Sequence, residues 1–397
     1  MLIKNCYVLN EKEQFQKASI RIENDRIQEV VFYDDEFKGE TLKQSKLYQD
    51  EFCKDENDCE EVLDAKGAYA IPGLIDTHIH GAIQHDFCDK DVQGLIAIAS
   101  YLKDHGITAF CPTSMTLDKN LLKQIFETVN ETLPDNCSEI VGIHMEGPFI
   151  SKEKKGAQND TFLRFPSVEM FHELSKACGH KIKIITLAPE VDHCDEFIQA
   201  IHKETNISVG HTTANYATAS KAFSLGANRV THIYNAMPAF THREPGVVGA
   251  AFDHKEVYVE LIADGIHVHP SVIRSTFSMF GEDRVVLISD AMMATGMATG
   301  EYELGGQKVF MKDRKATLSD GTIAGSATNL MDCVRHCVSI GIPLETAVKA
   351  ATKNAAKSIG IFDEMGSIDA NKKANIVLLD KNLEIQTVLM NGVKNSL

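Results

Sequence analysis

The chain has no uninterrupted apolar stretch near the ~18 residues that a membrane-spanning helix needs. Its opening, MLIKNCYVLNEKEQ, also lacks an apolar core of leader length. Both absences lead us to expect a cytoplasmic protein with no membrane partner. Positive charge is scarce: 40 Lys and Arg stand against 56 Asp and Glu, a net charge of −16. Such a balance argues against nucleic-acid or anionic-membrane surfaces, which need basic patches. An anionic ligand would therefore need a local, focused cluster of donors. CxxC pairs are missing as well. The 10 cysteines are scattered from Cys6 to Cys337, as expected of reduced thiols rather than a disulfide scaffold. Cys333 and Cys337 flank His336 and could be read as a metal clip. They sit in an apolar, helix-like run, however, where thiols behave as small hydrophobes.

What is present is a regular series of short β-branched runs, at 70–78, 107–112, 140–146, 182–188, 206–211, 228–233, 257–263 and 284–290. Amphipathic stretches separate most of them, at 91–105, 118–131, 167–178, 195–204 and 214–225. Gly106 and Gly226 follow two of these as left-handed stops. Alternating strand and helix implies a parallel sheet, and eight repeats suggest closure into a (β/α)8 TIM barrel. An open doubly wound sheet is the alternative, but no GxGxxG turn follows an early strand. The ends differ from this pattern. Alternating runs at 2–9, 18–22, 27–31, 374–379 and 385–390, with turns at Asn24-Asp25 and Asn391-Gly392, read as hairpins. We therefore expect residues 1–66 and 358–397 to form one small β-sandwich domain, with the barrel at 67–357 inserted between them. The acid-rich stretch 34–61 reads as a solvated surface insertion.

Five predicted strand ends carry ligand-type side chains. The first ends in Asp76-Thr77-His78-Ile79-His80, where alternation puts His78 and His80 on one face. Taken alone, HxH is weak, because His267-Val268-His269 repeats it elsewhere. Position raises its meaning. Glu146, His211, His232 and Asp290 end the third, fifth, sixth and eighth runs, and parallel barrels keep their chemistry at the strand C-termini. Imidazoles and carboxylates suit a divalent metal, with zinc first and iron or manganese as alternatives. An ion with an open position activates water and polarises a carbonyl, and a nearby carboxylate can then move the proton. Asp290 is the candidate for that role.

The segments PGLIDTHIHG and GSIDANKKANIVLLD resemble the amidohydrolase superfamily. Within it, IHMEGPF, VGHT, THIYNAMPAFTHREPG, IADGIHVHP and ISDAM are similar to the N-acetylglucosamine-6-phosphate deacetylase family, from about residue 65 to the end. The resemblance implies hydrolysis of that phosphorylated amino sugar to glucosamine 6-phosphate and acetate. N-acetylgalactosamine 6-phosphate or another amide is the alternative substrate, and a non-catalytic scaffold the alternative class. It implies Glu146, His211 and His232 as ligands of a principal metal, Asp290 as acid/base, and His78 with His80 as ligands of a second ion. Asn235, Ala236, Arg243 and His267 fall at phosphate-site positions, and Asp264 at a substrate-binding one. Ala157, Gln158 and the turn Ile323, Ala324, Gly325, Ser326 fall at further substrate positions. One of the phosphate ligands can come from a neighbouring subunit in the family, so a homodimer is expected. Gln158 departs from members that carry histidine there; it can still donate a hydrogen bond but cannot carry charge.

Overall fold

A computed structural model describes residues 1–33 and 61–395. All of the acid-rich stretch but Glu61 lies outside these described residues. Two compact units divide the chain, Met1–Leu74 with Gly360–Leu397 and Ile75–Ile359 between.

In the first unit, strands from both ends of the chain share one sheet. Leu2–Leu9, Phe15–Glu23 and Arg26–Phe32 form an antiparallel meander, and Ile376–Leu379 and Ile385–Met390 join it through Tyr69–Pro72. Period-two patterning explains the pairing: Ile20, Ile22, Ile27, Ile376, Leu378 and Leu389 meet in one apolar core.

The second unit holds a barrel of parallel strands: β1 (Leu74–Ile79), β2 (Ile107–Ser114), β3 (Ile143–Glu146), β4 (Ile182–Leu187), β5 (Asn206–Val209), β6 (Arg229–Val230), β7 (Tyr258–Ile262) and β8 (Val285–Ile288). Neighbours in sequence are neighbours in the sheet. Closure occurs where the Asp290 N–H donates to the His78 carbonyl at 2.9 Å and Ala291 bridges Ile79. Most barrel strands are buried on both faces, hence their continuous apolar runs. Helices begin where sequence chemistry places caps. Asp91, Asp118, Ser167 and Asn215 each accept a backbone N–H of the first turn.

Two of the expected strands are divided. The run at 70–78 is two strands, because Tyr69–Pro72 pairs with the C-terminal tail while β1 enters the barrel beyond Gly73. Likewise the run at 140–146 splits into Glu139–Ile140, paired to β2, and β3. Apolar patterning reports burial and is silent about a change of partner. The sequence reading also missed a three-stranded antiparallel sheet after β8, formed by Gly300–Leu304, Gln307–Lys312 and Lys315–Thr317. Its turns, Gly305-Gly306 and Asp313-Arg314, were the available signal. Cys333 and Cys337 are buried free thiols on the helix Leu330–Ser339.

Candidate active site

Parallel strands bring their C-terminal ends together, so the ligand-type residues converge without being close in sequence. Glu146 ends β3, His211 and His232 lie two residues beyond β5 and β6, and Asp290 lies two beyond β8. His211, His232 and Asp290 all have left-handed backbones, with φ of 48°, 25° and 51°. Such φ values strain a residue with a side chain by ~1–3 kcal/mol, and they persist where surrounding bonds over-determine them. Asp290 shows how: its N–H donates to the His78 carbonyl at 2.9 Å, and its carbonyl accepts the Ser326 N–H at 2.7 Å.

Glu146 is the hub. Its Oε1 lies 3.2 Å from both His211 Nε2 and His232 Nε2, and these two nitrogens are 3.1 Å apart. On the other side His78 Nε2 is 3.4 Å from Oε1, and His80 Nε2 is 3.5 Å from Oε2. Asp290 Oδ1 lies 3.5 Å from His78 Nε2 and 3.3 Å from His80 Nε2. Two donor trios result, Glu146–His211–His232 and His78–His80–Asp290, each compact enough for one cation.

The ring orientations suit metal binding. His80 and His211 turn Nδ1 outward to the carbonyls of Thr113 at 3.1 Å and Lys154 at 2.9 Å, so their Nε2 lone pairs face inward. His78 Nε2 is buried without a hydrogen bond among the described residues. A cation between such nitrogens satisfies them all.

Electrostatics follow from burial against pairing. Burial alone would push the Glu146 carboxyl up, but His78, His211 and His232 outweigh it and hold it well below the usual range. Asp290 behaves alike: burial opposes its charge, and His78, His80 and His232 keep it a carboxylate. Burial drives His144, packed behind His78, down to about 3, so it is a neutral spacer.

These groups floor a cavity of about 560 Å³. His80, Glu146, Ala157, Gln158, His211, His232, Asn235, Ala236, His267, Asp290, Ile323 and Gly325 line it, as do Lys152, Lys154 and Lys155. Gln158 is locked in place. Its Oε1 accepts the Thr116 N–H at 2.6 Å, and its Nε2 donates to Glu146 Oε2 at 2.6 Å.

Five expected residues stand outside that lining. His78 is fully buried beneath the floor. Asp264 sits behind His267, taking its Nδ1 at 2.8 Å and the backbone N–H groups of Ile266 and His267. Ala324 is buried, its N–H donating to the Ala316 carbonyl, while Ser326 donates through Oγ to the Ser289 carbonyl at 2.6 Å and supports the Asp290 turn from behind. Arg243 is exposed on the 241–244 loop and does not line the cavity.

The sequence reading overlooked Glu260 and Arg229. Glu260 is fully buried on β7, 2.9 Å from both His78 Nδ1 and Arg229 Nε. The signal for Glu260 was a lone charge inside an otherwise apolar strand run, whereas Arg229 sits in a run that also holds Asn228, Thr231 and His232.

A sequence profile described as the Amidohydrolase family matches residues 69–394. The N-acetylglucosamine-6-phosphate deacetylase of Bacillus subtilis (strain 168) is 36% identical over 99% of this chain and 96% of its own. The crystal structure of N-acetyl-D-glucosamine-6-phosphate deacetylase from Mycobacterium smegmatis superposes with a TM-score of 0.87 at 27% identity, covering 99% of each chain. A variant of that enzyme, solved in complex with N-acetyl-D-glucosamine-6-phosphate, gives 0.86 at 28% identity, over 99% of this chain and 98% of that one. Barrel, convergent donors and full-length similarity agree: the chain belongs to the amidohydrolase family.

Proposed function

We propose that this protein is a metal-dependent deacetylase that hydrolyses N-acetyl-D-glucosamine 6-phosphate to D-glucosamine 6-phosphate and acetate. The observation that carries the reading is the pair of donor trios meeting at Glu146 on the floor of a cavity that Asp290 and His267 also line. The relatives named for this activity, and the sugar-phosphate complex of one of them, supply the substrate.

Glu146, His211 and His232 would hold a principal divalent ion, and His78, His80 and Asp290 would hold a second. Imidazole and carboxylate donors favour zinc, with iron or manganese as alternatives. When bound, the ion supplies Lewis acidity that polarises the acetamide carbonyl and lowers the pKa of water toward ~7. Asp290, kept ionised by its imidazole neighbours, takes the proton of the attacking water and delivers it to the leaving sugar nitrogen. Gln158, fixed by Thr116, has an amide hydrogen to spare beyond its bond to Glu146 and orients the acetyl oxygen.

The phosphate is held by His267, by the Asn235-Ala236 segment and by Arg243 reaching over from the partner in a homodimer. Arginine's fork suits bidentate phosphate binding. The protein acts in the cytoplasm on a soluble amino-sugar phosphate.

The test is acetate release from N-acetylglucosamine 6-phosphate before chelation, after it, and after metal add-back. Metal-restorable turnover, much weaker on unphosphorylated N-acetylglucosamine, is expected. Metal-replete protein that is inert on this sugar but active on the galactosamine epimer would move the substrate assignment.

A further inference from the structure

We infer that Arg229 and Glu260, neither of which lines the cavity, are a positioning pair that makes His78 a ligand and thereby sets the affinity of the second ion. The inference rests on the two-ion reading above.

The outer imidazole nitrogens differ in what they meet, and His232 Nδ1 is buried with no hydrogen bond among the described residues. His80 and His211 lean on backbone carbonyls, which are neutral acceptors. His78 alone among the metal-facing rings leans on a carboxylate, with Nδ1 2.9 Å from Glu260 Oε2. A carboxylate only accepts, so Nδ1 keeps its proton and Nε2 is the nitrogen left for a metal. That nitrogen faces Glu146 Oε1 at 3.4 Å and Asp290 Oδ1 at 3.5 Å. A carboxylate behind an imidazole also raises its basicity, and hence its strength as a ligand.

Glu260 is itself held from three directions. Arg229 Nε donates to Oε1 at 2.9 Å, and the His232 backbone N–H donates to Oε2 at 3.2 Å. Arg229 is 1% exposed and is anchored in turn to Thr77 Oγ1 at 2.6 Å and to Ser358 Oγ. One network thus ties β1, β6 and β7 beneath the floor and orients His78 on the first strand and the backbone of His232 just beyond the sixth. Fully buried ion pairs are poor sources of stability, because desolvation cancels most of their attraction. Apolar residues would fill the same space, so the pair's placement against a metal-facing ring indicates a positioning role.

The experiment compares wild-type protein with Glu260→Gln and with the double variant Arg229→Met plus Glu260→Leu, which removes both charges together. Each is stripped of metal, melted, then titrated with Zn²⁺ in equilibrium dialysis with elemental analysis. We expect wild type to take up two ions. The double variant should melt near the wild-type temperature, and Glu260→Gln, which leaves Arg229 without its counter-charge, below it; both should keep the first ion, while second-ion affinity falls ~10–100-fold. Wild-type affinity for the second ion in either folded variant overturns the inference. Loss of both ions together, or collapse of melting in both variants, assigns the pair to the fold and also overturns it. Uptake of a single ion by wild type refutes the two-ion reading itself, which separates the two failures.

Discussion

Asp290 carries opposed demands on one side chain. It is buried and strained at φ 51°, yet ionised, because His78 and His80 stand 3.5 and 3.3 Å from Oδ1. Asp290→Asn keeps the shape but removes the proton acceptor. It should retain the principal ion and lose ~10²–10⁴-fold in kcat, read from steady-state kinetics with metal analysis. Near-normal turnover would remove Asp290 from the acid/base role. His267 allows a pH prediction. Burial pulls its imidazole down, but the Asp264 carboxylate outweighs burial and raises its pKa above the ordinary value. A raised pKa means that the cation is fully present below the ordinary value and is lost as pH rises through the raised one. KM for the phosphorylated sugar should therefore climb above that point, where the phosphate is already dianionic. In Asp264→Asn the climb should begin at lower pH. An unshifted KM profile in that variant would dissociate His267 from phosphate.

At the scale of elements, the site is a set of strand ends, and its accuracy depends on the helices that hold the strands in place. The helix Val92–Asp104 is started by Asp91, whose side chain accepts the Gln93 N–H. Asp91→Ala should cost about 1 kcal/mol in urea unfolding and leave KM unchanged. The antiparallel sheet after β8 acts differently, since Leu304 lines the cavity and Gln307 donates to the Ala157 carbonyl. Nothing in the alternation of those strands announces a role at the mouth. Their turns carried a hairpin signal that the sequence reading missed, and their docking against the 152–158 loop depends on contacts between residues about 150 positions apart.

For the whole molecule, a bound metal is also a folding ligand. Carboxylates and imidazoles are crowded around Glu146, and an ion that binds only the folded chain stabilises it by ~2.7 kcal/mol at 100 times its Kd. Chelation should therefore lower Tm, and Tm should rise with added Zn²⁺. A Tm indifferent to chelation would argue that the trios hold no ion. Among the described residues no helix is long and apolar enough to cross a membrane. Lys152, Lys154 and Lys155 line the cavity together with Glu153 and Asp320, and Lys152 and Lys155 lie 3.9 and 3.6 Å from Asp160.

Period and spacing alone determined the barrel, the shared terminal sheet and the candidate ligands, because each depends on local information. Alternation reports a buried strand, a Gly marks a helix stop, and a histidine or carboxylate at a strand end of a parallel barrel must face the mouth. Tertiary structure alone decided the rest. It divided the run at 70–78 between two sheets, since hydrogen-bond partners are chosen by distant strands. It set Arg243 outside its own chain's cavity and Asp264 behind His267. It also brought Arg229 and Glu260, 31 positions apart, beneath His78. A buried charge is tolerable only where its counter-charge and hydrogen bonds converge in space, and that convergence arises from the closing of the barrel.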